Sequence, residues 1–179
     1  MTTLRRLAWP DDRPALLALD TSFSTDRVYQ VIGRADAWRL ETAEVSPLRH
    51  KSYDLTHEVD DWPTFEHVAV AEEAGRVVGV AALKQVRWNR RAELWHLYVD
   101  RTARGRGVGR LLLEQAVQVA QCWDVRAVWL ETQTINYPAI QFYRRMGFIW
   151  CGLDTSLYDP QGMGSDEAAL FFTRALDHL

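Results

Sequence analysis

Gly105, Gly107 and Gly109 alternate with Arg104, Arg106, Val108 and Arg110, directly before the apolar run LLLEQAVQVA. Val108, Leu112, Ala116, Val119 and Trp123 recur at helical spacing, with Leu113, Val117 and Ala120 beside them, so the glycines open an amphipathic helix. The first amides of a helix have no intrahelical acceptor and carry the positive end of the peptide dipoles. Residues without a Cβ let an anion come close to those amides, so the chemistry on offer is phosphate binding by main chain. Each charge-assisted hydrogen bond is worth about 1.5 to 3 kcal/mol, enough for several amides to hold a diphosphate without help from arginine.

Two common nucleotide loops do not fit. A Walker loop requires Lys followed by Ser or Thr, and the turn has neither. A dinucleotide fingerprint requires its first glycine directly after a strand, whereas DRTAR separates Val99 from Gly105, and GRGVGR reads G-x-G-x-G rather than G-x-G-x-x-G. What remains is R-x-x-G-x-G, formed by Arg104, Gly107 and Gly109 after a strand ending in LYV, with NYPAIQFYRRMGF following at 136–148.

This pair of motifs resembles the two acetyl-CoA motifs of the GNAT family of N-acetyltransferases. A wider similarity, through LDTSFSTDRVYQV, RWNRR, CGLDTSLYD and DEAALF, is to the streptothricin (nourseothricin) acetyltransferase branch. The resemblance implies acetyl-CoA as co-substrate, with the backbone of Leu97, Tyr98 and Val99 pairing with pantetheine. The turn Arg104, Gly105, Arg106, Gly107, Val108, Gly109 and Arg110 would take the diphosphate, and Asn136 the pantetheine arm. It further implies direct attack by a primary amine in a ternary complex, with Tyr143 protonating the departing thiolate.

A lysine-like amine with pKa about 10.4 is only ~0.04% neutral at pH 7, a penalty of roughly 4.6 kcal/mol on attack, so a base is required. In RAELWHLYV, Glu93, Trp95 and Leu97 alternate with Leu94, His96 and Tyr98, and the family resemblance places the base on the side of Glu93. His96 has a suitable ordinary pKa but the opposite parity, unless a bulge re-aims it. Glu131, ending the strand AVWLET, is a third carboxylate in reach of this chemistry. Where the streptothricin branch carries acidic residues before the turn, this chain has Trp95, His96 and Tyr98; aromatic faces hold ammonium groups by cation–π contact. With Glu131, Trp95 and His96 form the expected acceptor side. Trp62 and Trp88 could wall it, and Glu58, Asp60 and Asp61 could draw a cation.

The elements that must position these residues follow from periodicity and turns. Strands are expected at 3–8, 28–32, 37–45, 67–73, 76–87, 92–99, 127–132, 148–159 and 168–176, and helices after Pro10, over 107–122 and over 136–147. Asn136 is the expected N-cap of the last helix and Gly147 its C′ residue; SPLRHKSYDLTHEVDDWP, 46–63, reads as a long loop. The fold class is α/β (α+β), a mixed and mainly antiparallel sheet with splayed central strands, flanked by helices, in one domain over 1–179.

A chain of 179 residues with 47% hydrophobic and 25% charged residues has the composition of a globular domain. The formal net charge of -3 argues against nucleic acid as a partner. There is no apolar run long enough for a membrane span and no signal-peptide pattern, so a cytoplasmic location is expected. No metal-ligand spacing occurs, and Cys122 and Cys151 are expected as buried apolar residues. The partner is then a small-molecule amine, with a monomer and a homodimer both compatible. A peptide or protein lysine acetyltransferase and a non-catalytic acyl-CoA-binding module are the alternatives.

Overall fold

The computed structural model describes residues 1–34, 36–159, 161 and 167–176. Ala35 in the turn Gly33–Asp36 and Asp166 in DEAALF lie outside the described residues. In chain order the elements are β1 (Thr3–Arg6), α1 (Arg13–Leu17), β2 (Phe23–Arg34), β3 (Ala37–Lys51), β4 (His67–Glu73), β5 (Arg76–Val86), β6 (Arg91–Val99), α2 (Val108–Gln121), β7 (Ala127–Gln133), α3 (Tyr137–Arg145), β8 (Ile149–Asp154) and β9 (Ala169–Ala175). Seven strands form one sheet in the order β1-β4-β5-β6-β7-β9-β8, and β2 and β3 form a second. The β1–β4, β4–β5, β5–β6 and β8–β9 ladders are antiparallel and β6–β7 is parallel, the mixed architecture expected.

Three expectations change. Pro47 does not end the second strand of the β2–β3 pair, which continues to Lys51, because a two-stranded sheet has edges where a missing N–H is tolerated. The expected loop 46–63 shrinks accordingly, and Val59–Thr64 forms a 3₁₀ turn. The strand expected over 148–159 stops at Asp154, whose Oδ1 accepts from the Ser156 amide at 2.7 Å in a side-chain turn. Both cysteines are exposed, Cys122 as the residue capping the end of α2 and Cys151 on β8, so the buried reading is wrong for each.

The chain packs as two compact units. One comprises Met1–Phe23, Ser52–Trp129 and Ala175–Leu179, the other Ser24–Lys51 and Leu130–Arg174. In the first, Val68, Val70, Val80 and Ala82 of β4 and β5 pack in one core with Leu16, Leu19, Val59 and Trp62. Helix α2 buries Val108, Leu112, Leu113, Ala116, Val117 and Ala120, the stripe read from the sequence apart from Val119 and Trp123, which are only half-buried. Strands covered this way read as near-continuous apolar runs, as VAVA and VVGVAAL do.

Gly79 of β5 sets how closely α2 approaches. A Cβ there would lie 2.9 Å from the Tyr98 carbonyl oxygen and 3.0 Å from Leu112 Cδ1. The strand-to-helix connection is pinned by Asp100, only 1% exposed, whose carboxylate accepts from the Thr102 amide (3.0 Å), Thr102 Oγ1 (2.5 Å), the Asp20 amide (3.2 Å) and Arg76 Nη2 (2.9 Å). Burial alone would raise its pKa, but the bonds from Thr102 and Asp20 and the charge of Arg76 bring it below the ordinary value. In the second unit, Asn136 Oδ1 accepts from the Ala139 amide at 3.3 Å to cap α3, and Gly147 beyond its end has φ +84°, both as expected.

Asp100→Asn should lower unfolding free energy by about 1.5 to 3 kcal/mol at neutral pH, read by denaturant titration. Because the folded pKa is depressed, that stabilisation exists above the unfolded value and is lost as pH falls through the folded one, so the difference between the two proteins should shrink in acid. Gly79→Ala should cost about 1 to 3 kcal/mol through the same titration, since backbone and helix must both give way.

Candidate active site

Strand β6 carries six of the expected site residues, Glu93, Trp95, His96, Leu97, Tyr98 and Val99. Its parallel ladder with β7 is three pairs long, Arg91, Ala92 and Glu93 against Ala127, Val128 and Trp129, whereas its ladder with β5 continues to Val99. Glu93 is half-buried at the last parallel pair and opposite Lys84 of β5. Between Leu94, paired with Leu83, and His96, paired with Ala82, Trp95 is an extra residue, so β6 contains the bulge on which the role of His96 depended. The bulge leaves Trp95 48% exposed, its ring covered by Lys84 Nζ at 3.4 Å; the same ammonium lies 4.0 Å from the centroid of Phe65.

His96 points into the protein and is only 6% exposed. Its ring centroid lies 5.1 Å from that of Trp62, 6.2 Å from Phe65 and 5.4 Å from Tyr98, and Nε2 is 3.5 Å from Glu58 Oε2. Burial, with a smaller contribution from Lys84, pushes its pKa down to about 4. The imidazole is therefore neutral near pH 7 and a weak proton acceptor, which removes the advantage its ordinary pKa suggested. Glu58, half-exposed, is pushed the opposite way, upward, by burial and by Asp54. Asp60 is engaged by Arg13 at 2.7 Å, so it does not serve the expected acidic loop as an unpaired charge.

Leu97, Tyr98 and Val99 are half-buried and pair with Ala81, Val80 and Gly79. Beyond them the chain makes the short turn Arg101–Ala103 and enters the glycines with φ +75° at Gly105 and +90° at Gly107, a backbone that L side chains rarely adopt. A Cβ built at either position has nothing within 4 Å, so the glycines leave an open surface in front of the turn. The first bond of α2 runs from the Leu111 amide to the Gly107 carbonyl at 3.0 Å, which leaves the amides of Val108, Gly109 and Arg110 without an intrahelical acceptor. A diphosphate fits this cradle.

The arginines behave otherwise than a phosphate clamp would. Arg104 directs its guanidinium to the carbonyls of Val99 (2.9 Å), Ser22 (2.6 Å) and Asp20 (3.4 Å), bracing the turn from behind. Arg106 pairs with Glu73 at 2.9 Å and Arg110 with Glu114 at 2.7 Å. The amides at the start of α2 are the groups of this segment left without an intrahelical acceptor, while the three guanidinium groups face acceptors of the chain itself.

The second unit holds the remaining expected residues. Asn136 caps α3, and Tyr143 is buried with its ring 5.9 Å from that of Phe148. Glu131 accepts from the hydroxyl of Tyr158, and Lys51 of the same unit forms a well-buried ion pair with Glu167. Burial raises the pKa of Glu131, against smaller opposing effects of Tyr158 and Lys51. Asp100 and Tyr158 were not read from the sequence. An Asp after a strand is a turn signal, which accounts for the bonds from Thr102, but the donors at Asp20 and Arg76 are distant in sequence, and a Tyr between two turns carries no periodic signal. Among the described residues there is no cluster of His, Cys, Asp or Glu able to hold a metal ion, and no helix long and apolar enough to cross a membrane.

Residues 34–148 match the model of the acetyltransferase (GNAT) family. The chain is 35% identical over 177 residues to the streptothricin acetyltransferase of Streptomyces lavendulae, covering 94% of this chain and 92% of that protein. It is 30% identical over 163 residues to the enzyme of that name from Escherichia coli, covering 91% of each. The crystal structure of nourseothricin acetyltransferase superposes with TM-score 0.88 at 34% identity over 98% of this chain and 99% of that one. A Bacillus anthracis str. Ames protein assigned as a streptothricin acetyltransferase, solved in complex with acetyl coenzyme A, gives TM-score 0.81 at 27% identity over 98% and 100%. With a family model matched over residues 34–148 and similarity to curated acetyltransferases running over nearly the whole chain, the protein belongs to the GNAT family of acetyltransferases.

Proposed function

We propose that this acyltransferase transfers the acetyl group of acetyl-CoA to a primary amine of a streptothricin-like antibiotic, acting over 1–179 as one catalytic domain. The observation that carries the reading is the 35% identity, over 94% of the chain, to an enzyme named for that reaction. The peptide-lysine and non-catalytic alternatives are set aside on this ground. Acetyl-CoA supplies an activated acyl group; the chain's own residues hold it and manage two protons. The amides from Gly105 to Arg110 receive the diphosphate, and Asn136 and the backbone of Leu97, Tyr98 and Val99 receive the pantetheine arm.

Glu93 takes the proton of the acceptor amine and Tyr143 gives one to the sulfur. What supports Glu93 is its place at the last β6–β7 pair, where the parallel ladder ends. A positioned base contributes about 10² to 10⁴ in rate, the scale required by an amine that is almost wholly protonated at pH 7. One observation favours a second reading for the base. Burial lifts the Glu131 pKa toward the range in which a carboxylate both accepts a proton and remains deprotonated at working pH.

Mixing purified protein with acetyl-CoA and a panel of amines that includes streptothricin should release CoA thiol, read with a thiol reagent. Silence across the panel, with acetyl-CoA still bound, would remove the transferase reading. Glu93→Gln should lower kcat at least tenfold at pH 7 with little change in KM for acetyl-CoA. If Glu131 is the base instead, Glu131→Gln takes that loss. In that case the acid limb of kcat/KM for the wild type lies above the ordinary carboxylate range, because the active form is the deprotonated one and its pKa is raised.

A further inference from the structure

Two neighbouring polar atoms, one on Trp62 and one on His96, have no hydrogen-bond partner although they are buried. Trp62, with no exposed surface, leaves Nε1 unpaired, and His96 leaves Nε2 unpaired. Their rings are neighbours, with centroids 5.1 Å apart. Glu58 Oε2 stands 3.5 Å from His96 Nε2, too far for a good hydrogen bond, and unlike the other two residues Glu58 is half-exposed. A buried polar atom left unpaired costs about 1 to 3 kcal/mol, so two adjacent ones mark a place where something from outside the chain completes the bonding.

The three atoms also specify what that group is. Trp62 Nε1 can only donate, so the group must offer a lone pair. A Glu58 carboxylate can only accept, so the group must also carry hydrogen. Neutral His96 accepts at Nε2 when its proton is on Nδ1 and donates there in the other tautomer. An ammonium has no lone pair for Trp62, and a carboxylate has no hydrogen for Glu58. Water has both, and among groups an acceptor can carry that are neutral near pH 7 so do a hydroxyl and a primary amide. Trp95 precedes His96 on β6, but the ammonium of Lys84 from β5 already lies over its ring, so cationic groups find that π surface occupied by the protein's own cation.

We infer that Trp62, His96 and Glu58 form a specificity subsite that receives a neutral hydroxyl or primary amide of the acceptor, distinct from the amine that is acetylated. Glu58 is its half-exposed member and Trp62 its fully buried one. The inference rests on the amine-acetyltransferase reading above and adds to it a named part of the acceptor.

Trp62→Phe removes only the indole donor and its small ring, and Glu58→Gln changes a half-exposed side chain that the fold does not require. For each, KM of a hydroxyl- or amide-bearing amine acceptor should rise at least fivefold while KM for acetyl-CoA stays within twofold. An acceptor with that group replaced by hydrogen should show little further loss in the variants, so the wild-type preference between the two acceptors collapses. An unchanged acceptor KM and an intact preference in Glu58→Gln overturn the subsite, and so does an unchanged preference in Trp62→Phe, which would mark the orphan atoms as purely internal. Should Trp62→Phe fail to fold, His96→Phe, which retains the ring stack, reads the same preference. A wild-type protein that acetylates no amine would instead defeat the transferase reading, whereas transfer with no effect of these variants defeats only the subsite.

Discussion

The carboxylate of Asp100 holds together what the rest of the site requires. It lies where β6 ends, almost fully buried, and gathers donors from Asp20, Arg76 and Thr102. These tie the residue that follows the strand to the segment after α1, to the start of β5 and to the first turn before the glycines. Arg104 reinforces the same junction through carbonyls at Val99, Asp20 and Ser22. A cradle of main-chain amides is useful only if its orientation is fixed before the ligand arrives, because ordering a loop during binding offsets part of the contact energy. Here the glycines are free to take a positive φ while both flanks of the turn are clamped.

Strand β6 illustrates how one extra residue separates functions. A regular strand would alternate Glu93, Trp95 and Leu97 against Leu94, His96 and Tyr98. The bulge keeps Leu94 and His96 both paired with successive residues of β5, and puts Trp95 outward under Lys84. His96 is thereby buried among aromatic rings, with its proton affinity far below that of an exposed imidazole. It becomes a hydrogen-bonding group of fixed charge rather than a titrating one.

Most of the scaffold was legible because it depends on local pattern. The α2 stripe, the antiparallel run from β4 to β6, the Asn136 cap and the glycine turn all follow from spacing within a few residues of each other. What escaped depends on partners remote in sequence or on edges. Pro47 reads as a breaker until the strand is known to lie in a two-stranded sheet. Cys151 reads as buried until β8 is seen to present it outward. The roles given to arginine were the least legible: Arg104, Arg106 and Arg110 stand beside an anion site by sequence, yet Glu73, Glu114 and three carbonyls claim them. The Trp62–His96–Glu58 arrangement joins residues about 35 positions apart, and no periodicity links them.

The internal pairing of those arginines has a kinetic corollary. A polyanion approaching a turn of uncompensated cations is drawn in from a distance of order a Debye length, about 8 Å at physiological ionic strength, and added salt slows its capture. Where two of the three cations stand against carboxylates of the chain itself, the long-range pull is weakened and the peptide dipoles act only at contact. Encounter with the thioester donor should then depend on ionic strength less steeply than three uncompensated arginines would make it.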